Sequence, residues 1–166
     1  MDQAKSSVMR TEQCDGGAAQ WERPGAFRQA RPSDHSGPVA TDHRGNETIL
    51  VIDDEEPMQR VVRRLLVGLG YQVILARNGE GALDASRQHE GPIHLILSDV
   101  HISSESGPAL VQRLLCERPA AKVLFMSGHS ADTVQQNQLL DPGASFIEKP
   151  FANDALARKV REVLDA

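Results

Sequence analysis

Residues 47–166 are predicted to form an α/β domain in which five parallel strands make a doubly wound sheet. Two observations support this fold class: five short apolar runs rich in Val, Ile and Leu, and amphipathic segments between them. Short apolar runs of this kind are typical of parallel strands that are buried on both faces. Alternating strands and helices then imply a sheet covered on both faces, with right-handed crossovers.

The apolar runs predict the strands, and the first amphipathic segment predicts a helix with clear ends. Met58, Val62 and Leu65 belong to an apolar stripe at helical spacing, which starts beside Pro57 and stops before Gly70. The predicted strands cover residues 48–52, 72–75, 93–97, 122–126 and 144–147.

The remaining helices follow from the same reasoning. Ser106 can cap a helix that carries Leu110 and Leu114 and ends before Pro119. A last helix carries an apolar stripe that includes Leu156. Segments 79–89 and 131–138 are also predicted to be helical, and the second of these is very polar.

The composition argues against several classes of function. The chain has 166 residues, a net charge of −5 and 4% aromatic residues. An acidic protein with few aromatic side chains is poorly suited to bind nucleic acid. No apolar run approaches the roughly 18 residues of a membrane span, residues 1–10 lack the apolar core of a secretory signal, and two cysteines make no disulfide framework. We therefore expect a cytoplasmic protein that binds neither nucleic acid nor membrane directly.

The first 46 residues differ from the rest of the chain. They are rich in Gly and Pro, carry balanced charges, and show no helical or strand periodicity. Such a segment cannot bury enough apolar surface to offset the entropy cost of ordering. We predict a disordered extension over residues 1–46 and a single domain over residues 47–166.

Polar side chains follow four of the five predicted strands. Asp53 and Asp54 follow the first, Asp99 the third, Ser127 the fourth and Lys149 the fifth. In an open α/β sheet, binding sites lie beyond the carboxyl ends of the strands. Each residue alone also fits a structural role, such as a helix cap, a turn or a loop, but their joint occurrence at one sheet edge indicates a site.

These residue types suit phosphoryl transfer assisted by a metal ion. At ~5 Å and an effective dielectric of about 20, each pair of carboxylates repels by roughly 3 kcal/mol, and a divalent cation removes that cost. Mg²⁺ takes one or two protein carboxylates and keeps waters that phosphate oxygens can replace. A carboxylate is ionised at neutral pH and can attack phosphorus without a general base. Lys149 and Ser127 could each pair with a phosphoryl oxygen.

Four motifs make the chain similar to a known family. They are the stretches 49–56 (ILVIDDEE), 98–100 (SDV), 125–128 (FMSG) and 146–151 (FIEKPF). Over residues 47–166 the chain resembles the receiver domains of bacterial two-component response regulators, which have a flavodoxin-like fold. The resemblance implies a signalling domain whose only catalysis is its own phosphorylation and dephosphorylation.

The resemblance implies roles for the acidic residues. Asp99 would accept a phosphoryl group from a histidine kinase or a histidine phosphotransfer protein. Asp54 and Asp99 would bind Mg²⁺ directly, together with the backbone carbonyl of His101. Asp53 would act through water or as a weaker ligand.

The resemblance also implies a switch. Ser127 and Lys149 would sense the phosphoryl group, and Phe146 occupies the family's aromatic switch position. The surface formed by the predicted helix at 131–138, the strand at 144–147 and the last helix would then bind a downstream protein. The peptide bond before Pro150 would be cis, as is usual in the family.

Some positions depart from the family pattern. Ile102 and Ser103 replace a usual Met-Pro pair, which predicts a looser loop over residues 100–106. His101 and His129 lie two residues after Asp99 and Ser127, where the family's hydrolytic water passes. Protonated imidazoles there could change the lifetime of the phosphoryl-aspartate at about pH 6–7, unless both rings simply face solvent.

Alternative functions stay open at this point. No output domain follows the last predicted helix, so we expect a single-domain receiver, or a phosphate-shuttling receiver detached from a hybrid histidine kinase. A pseudo-receiver that only binds proteins is the main rival. An aspartate-based phosphatase usually needs a second Asp where His101 stands, and in a flavin binder the acidic stretch 53–56 would repel the phosphate.

Overall fold

The computed structural model describes residues 43–102, 105–128 and 143–166 of the chain. Within these ranges a five-stranded parallel sheet has the order β2-β1-β3-β6-β7, and a separate two-stranded ladder pairs β4 with β5. The strands are β1 (Thr48–Ile52), β2 (Gln72–Ala76), β3 (Leu95–Asp99), β4 (His101–Ile102), β5 (Glu105–Ser106), β6 (Lys122–Ser127) and β7 (Phe146–Glu148). The helices are α1 (Glu56–Gly68), α2 (Gly79–Gln88), α3 (Gly107–Glu117) and α4 (Asn153–Asp165).

The predicted fold class is confirmed, because helices pack on both faces of the sheet. Leu50 and Ile52 of β1 belong to a core cluster that contains residues of α2 and α3. Ile49 and Val51 of the same strand point the other way, into a cluster with residues of α1 and α4. All five residues of β1 are buried, as expected for a strand inside a doubly wound sheet.

The ends of the elements follow local chemistry. Helix α1 has Pro57 in its first turn and ends at Gly68 with Leu69 as its C-terminal cap, and Gly70 follows with a positive φ of 99°. Ser106 occupies the predicted cap position of α3, but its side chain makes no capping hydrogen bond. Strands β3 and β7 each lie about two residues later in the chain than predicted, so Asp99 is the last residue of a strand.

Several predictions concern residues outside the described ranges. They include nearly all of the predicted extension at 1–46, the predicted helix at 131–138, and His129. Residues 43–46 are described, and there Gly45 donates a backbone hydrogen bond to the carbonyl of Leu69 (3.1 Å). Tyr71 donates its hydroxyl to the carbonyl of His43 (2.9 Å). Among the helices described, none has the length and apolar character that crossing a membrane requires.

Arg118 ties the end of α2 to the segment after α3. Its guanidinium donates to the carbonyl of Ser86, to that of His89 (2.6 Å) and to that of Gly91 (3.2 Å). Carbonyls in the last turn of a helix have no partner within the helix, so a side-chain donor there satisfies them. Arg118 thus supplies charged donors to a helix end and to the loop that leads into β3.

We expect Arg118→Ala to lower the free energy of unfolding by about 2–3 kcal/mol, because partly buried carbonyls lose a charged donor. Arg118→Lys should recover only part of this loss, since Lys lacks the planar fork of donors. Urea denaturation measures both variants. Arg87→Ala is the matched control, because it removes an ion pair between a well-exposed arginine and Glu117 (2.7 Å). The Arg87→Ala protein should keep the wild-type denaturation midpoint. Equal midpoints for the Arg118→Ala and Arg87→Ala proteins would contradict this role.

Candidate functional site

Three carboxylates meet at the carboxyl edge of the sheet. Asp53 and Asp54 follow β1, and Asp99 ends β3, which is paired directly with β1. Each of the three offers an oxygen, and these oxygens all lie within 4.8 Å of one another. Asp53 is 0% and Asp99 7% exposed, while Asp54 is the most exposed of the three. The predicted convergence of the acidic residues is therefore present in the structure.

Lys149 lies between two of these carboxylates. Its Nζ donates to Oδ2 of Asp53 (2.7 Å) and to Oδ2 of Asp99 (2.5 Å). The backbone N–H of Lys149 donates to the carbonyl of Ser127 (2.6 Å), which holds the start of this loop beside β6, and the peptide bond before Pro150 is cis, as expected. The loop after β7 thus brings an ammonium group to the end of β1, although β6 and β3 lie between these two strands in the sheet.

The backbone after each strand holds the other carboxylate oxygen. The N–H of Glu55 donates to Oδ1 of Asp53 (2.8 Å), and the N–H of His101 donates to Oδ1 of Asp99 (2.8 Å). Each aspartate therefore has one oxygen facing its own loop and the other facing Lys149. This arrangement fixes both side chains before any ligand arrives.

The site carries more negative than positive charge. Burial raises the pKa of Asp53, and the hydrogen bonds from Lys149 and from the Glu55 backbone offset this only in part. Burial alone would lower the pKa of Lys149, but its hydrogen bonds and attraction to Asp53 and Asp99 raise the pKa overall. One ammonium is shared by two carboxylates, so it stays charged without fully compensating either of them.

The donor set fits a hard divalent cation. Three carboxylates and one ammonium leave two negative charges, which is the charge that Mg²⁺ neutralises. Mg²⁺ binds oxygen at about 2.0–2.1 Å, so opposite ligands lie about 4.2 Å apart. The upper separation of 4.8 Å between ligand oxygens is slightly larger. A small rotation of one carboxylate, or an intervening water, therefore suffices to fit the ion.

The other predicted site residues lie around this centre. Ser127 ends β6 and is fully buried. Phe146 begins β7 beside Phe125, and its half-buried ring packs against the core cluster that contains Leu50 and Leu110. The backbone of His101 contacts Asp99, and its side chain is exposed.

The described part of the loop after Asp99 forms a short ladder. His101 pairs with Ser106 and Ile102 with Glu105 in an antiparallel ladder. Ile102 is 5% exposed and belongs to the core cluster of α2 and α3. The ladder and the buried side chain of Ile102 hold the described part of the loop to the domain, while the looser loop expected from the missing Pro stays a prediction, since position 103 lies outside the described residues.

Sequence reasoning missed two residues near the site. Gly107 approaches β3 so closely that a Cβ there would lie 2.0 Å from the carbonyl oxygen of Asp99. Gln59 is a buried polar residue whose amide reaches the backbone of Asp53. Gln59 lies on the same helical face as the buried Val62 and Leu66, and a glutamine in an apolar stripe was the available signal.

Comparison with known proteins identifies the family of this chain. The family model of the response regulator receiver domain matches residues 49–161. Sensor kinase CckA of Brucella abortus is 33% identical over 126 residues, which cover 76% of this chain and 13% of that protein.

Solved structures agree. The receiver domain of hybrid histidine kinase CckA is 32% identical with a TM-score of 0.60, covering 70% of this chain and 98% of that one. A CheY-like receiver from Methanospirillum hungatei, 24% identical with a TM-score of 0.61, covers 73% of this chain and 95% of that one and shows the shared fold. With its acidic edge, its partly buried lysine and these matches, the chain belongs to the response regulator receiver domain family.

Proposed function

We propose that this protein is a phosphoacceptor of a two-component system, in which Asp99 receives a phosphoryl group from a phosphohistidine on a kinase or a phosphotransfer protein. The observation that carries this proposal is the convergence of Asp99 with two further carboxylates and Lys149 at one edge of the sheet. Membership of the receiver family supports the same assignment.

The transfer needs no general base. An ionised oxygen of Asp99 forms a bond to phosphorus while the phosphorus–nitrogen bond of the phosphohistidine breaks, and the electron pair stays on the imidazole. Lys149 already lies 2.5 Å from Oδ2 of Asp99, so its ammonium can pair with an oxygen of the incoming group. The hydroxyl of Ser127, at the end of the neighbouring strand β6, can donate to another.

Asp53, Asp54 and Asp99 would hold Mg²⁺, together with the backbone carbonyl of His101. When bound, the ion supplies charge neutralisation between the acidic residues and the phosphoryl oxygens. Asp53 is fully buried and engaged with Lys149, which suits a weaker or water-mediated ligand. Asp54, the most exposed of the three, suits direct binding.

Phosphorylation would then change a binding surface. Ser127 ends β6, the strand next to the one that Asp99 ends, and Lys149 lies in the loop after β7. Phe146 begins β7, which is paired with β6. A shift of Ser127 toward the phosphoryl group would let the half-buried ring of Phe146 pack further inward. The face around β7 and α4 would present this change to a partner protein.

A second candidate is a relay role, in which Asp99 passes its phosphoryl group on to a histidine phosphotransfer protein. The similarity to the receiver of hybrid histidine kinase CckA favours it. Incubating the phosphorylated protein with a histidine phosphotransfer protein distinguishes the two roles, because a relay receiver loses its phosphoryl group quickly while a terminal one keeps it.

Acetyl phosphate tests the primary proposal. Wild-type protein incubated with acetyl phosphate and Mg²⁺ should gain the mass of one phosphoryl group, and the gain should be lost with EDTA or in Asp99→Asn. Intact-mass spectrometry measures it. A folded wild-type protein that gains no mass would contradict the proposal and favour a pseudo-receiver that acts only by binding proteins.

A further inference from the structure

A glutamine is buried in the apolar face of α1, and the proposed phosphoryl transfer gives it no role. Gln59 is 5% exposed, and its Nε2 donates to the carbonyl of Asp53 (2.8 Å) and to the carbonyl of Ala76 (2.7 Å). Both hydrogens of the side-chain amide are thereby used. A buried polar group is costly unless it is bonded, so these two contacts account for its presence in the core.

The two carbonyls lie where the β1–β2 ladder stops. The paired residues end at Ile52 and Ala76, and the backbone N–H of Asp53 makes one more bond to the carbonyl of Ala76 (3.2 Å). Beyond this point the chain leaves the sheet as the acidic stretch 53–56. The amide of Gln59 therefore links the two strands once more, by bonding one carbonyl on each side of the point where that stretch begins.

The carbonyl of Asp53 belongs to the peptide unit that joins Asp53 to Asp54. Because a peptide unit is planar, fixing the direction of this carbonyl also fixes the direction in which Asp54 leaves the strand. The Asp53 side chain is fixed separately, by the Glu55 N–H and by Lys149. The Asp54 residue is joined to this peptide unit, so the position of its carboxylate depends on the orientation of the unit.

We propose that Gln59 is a positioning residue for the metal site: its amide orients the Asp53–Asp54 peptide so that Asp54 presents its carboxylate toward Asp99. This inference rests on the proposed function of the acidic residues as metal ligands. Residues that hydrogen-bond to metal ligands and orient them influence metal affinity by about 10- to 100-fold. Gln59 acts through the backbone of a ligand and touches neither the ion nor the phosphoryl group.

Titration of the full chain with Mg²⁺ alone, followed by the chemical shifts of backbone amides, tests the proposal. Gln59→Met keeps the volume of the side chain and removes its donors. We expect its Mg²⁺ Kd to rise at least about tenfold. Val62→Ala is the matched control: Val62 is fully buried on the same face of α1, and its truncation should lower stability while leaving the Kd within about twofold of wild type.

A second variant guards against a Gln59→Met protein that does not fold. Gln59→Asn keeps the amide but shortens the side chain by one methylene, so it cannot bridge both carbonyls, and its Kd should also rise. A wild-type Kd in either folded Gln59 variant would overturn the proposal. An equal rise in Kd for the Val62→Ala protein would overturn it as well, because the effect would then be general loosening of α1.

Phosphorylation by acetyl phosphate separates this inference from the proposed function. With Gln59→Met, the rate should fall at low Mg²⁺ and return close to wild type at saturating Mg²⁺, since the acceptor and Lys149 are unchanged. If the wild-type protein binds Mg²⁺ but takes up no phosphoryl group, the proposed function fails while the titration still decides the role of Gln59. If the rates of the Gln59→Met and wild-type proteins depend on Mg²⁺ identically, the positioning role is wrong.

Discussion

Lys149→Met is expected to lower the free energy of unfolding by about 3–5 kcal/mol when Mg²⁺ is absent, because removing one partner of a buried ion pair leaves charge uncompensated. The lysine side chain is 11% exposed and lies between Asp53 and Asp99, whose side chains are 0% and 11% exposed. Urea denaturation at neutral pH in EDTA measures the loss. Added Mg²⁺ should restore part of it, since a divalent cation neutralises the same carboxylates.

Lys159→Met is the matched control for this prediction. Lys159 forms a pair with Glu162 at 2.9 Å on α4, with side-chain exposures of 29% and 63%, so its loss should cost less than about 0.5 kcal/mol. Phosphorylation of the Lys149→Met protein should also slow by about 10²–10³-fold, because the transferring group loses a positioned cation. A Lys149→Met protein that is as stable in EDTA as the Lys159→Met protein would show that the site tolerates its negative charge without the lysine.

Asp53→Asn is expected to stabilise the protein in the absence of Mg²⁺ and to weaken the stabilisation that Mg²⁺ gives to wild type. The folded state raises the pKa of Asp53, chiefly by burial, so it binds a proton more tightly than the unfolded chain does. Stability is then lost as the pH rises from the unfolded pKa, about 3.9, through the folded pKa. At neutral pH the full penalty is present, and Asn removes it.

Thermal denaturation in EDTA at several pH values tests this effect. The advantage of the Asp53→Asn protein over wild type should be largest at neutral pH and should disappear as the pH falls toward 4 or below. Asp54→Asn removes the same charge from a more exposed position, so it should change stability in EDTA much less while also weakening the response to Mg²⁺. An Asp53→Asn protein that is less stable than wild type at neutral pH would mean that the pair with Lys149 outweighs the cost of burial.

Sequence patterns predicted the central strands of the sheet well, because a strand that is buried on both faces appears in the sequence as a continuous apolar run. The run 48–52 coincides with β1, whose residues are all buried. The run at 144–147 was misplaced, because β7 is an edge strand of three partly exposed residues and its apolar signal is weak. The β4–β5 ladder was missed, since two-residue strands have no periodicity to detect.

The sequence predicted which charged residues meet at the site, but not the contacts that hold them in place. The order of strands brings Asp53, Asp99 and Lys149 to one edge, and this follows from where each strand ends. The close contact of Gly107 with Asp99 and the bridge made by Gln59 depend on three-dimensional packing. A single glutamine in an apolar stripe marks a buried amide, but only the structure identifies the carbonyls that it bonds.

Locating the phosphoryl group on the chain tests directly whether Asp99 is the acceptor. Wild-type protein treated with acetyl phosphate and Mg²⁺, then reduced with borohydride and digested, should yield a peptide in which residue 99 has been converted to homoserine, since borohydride reduces an acyl phosphate to an alcohol. We expect this conversion at Asp99 alone and its loss when Mg²⁺ is withheld. Conversion at Asp53 or Asp54 instead, or a phosphoryl group that resists reduction, would contradict the assignment of Asp99 as the acceptor.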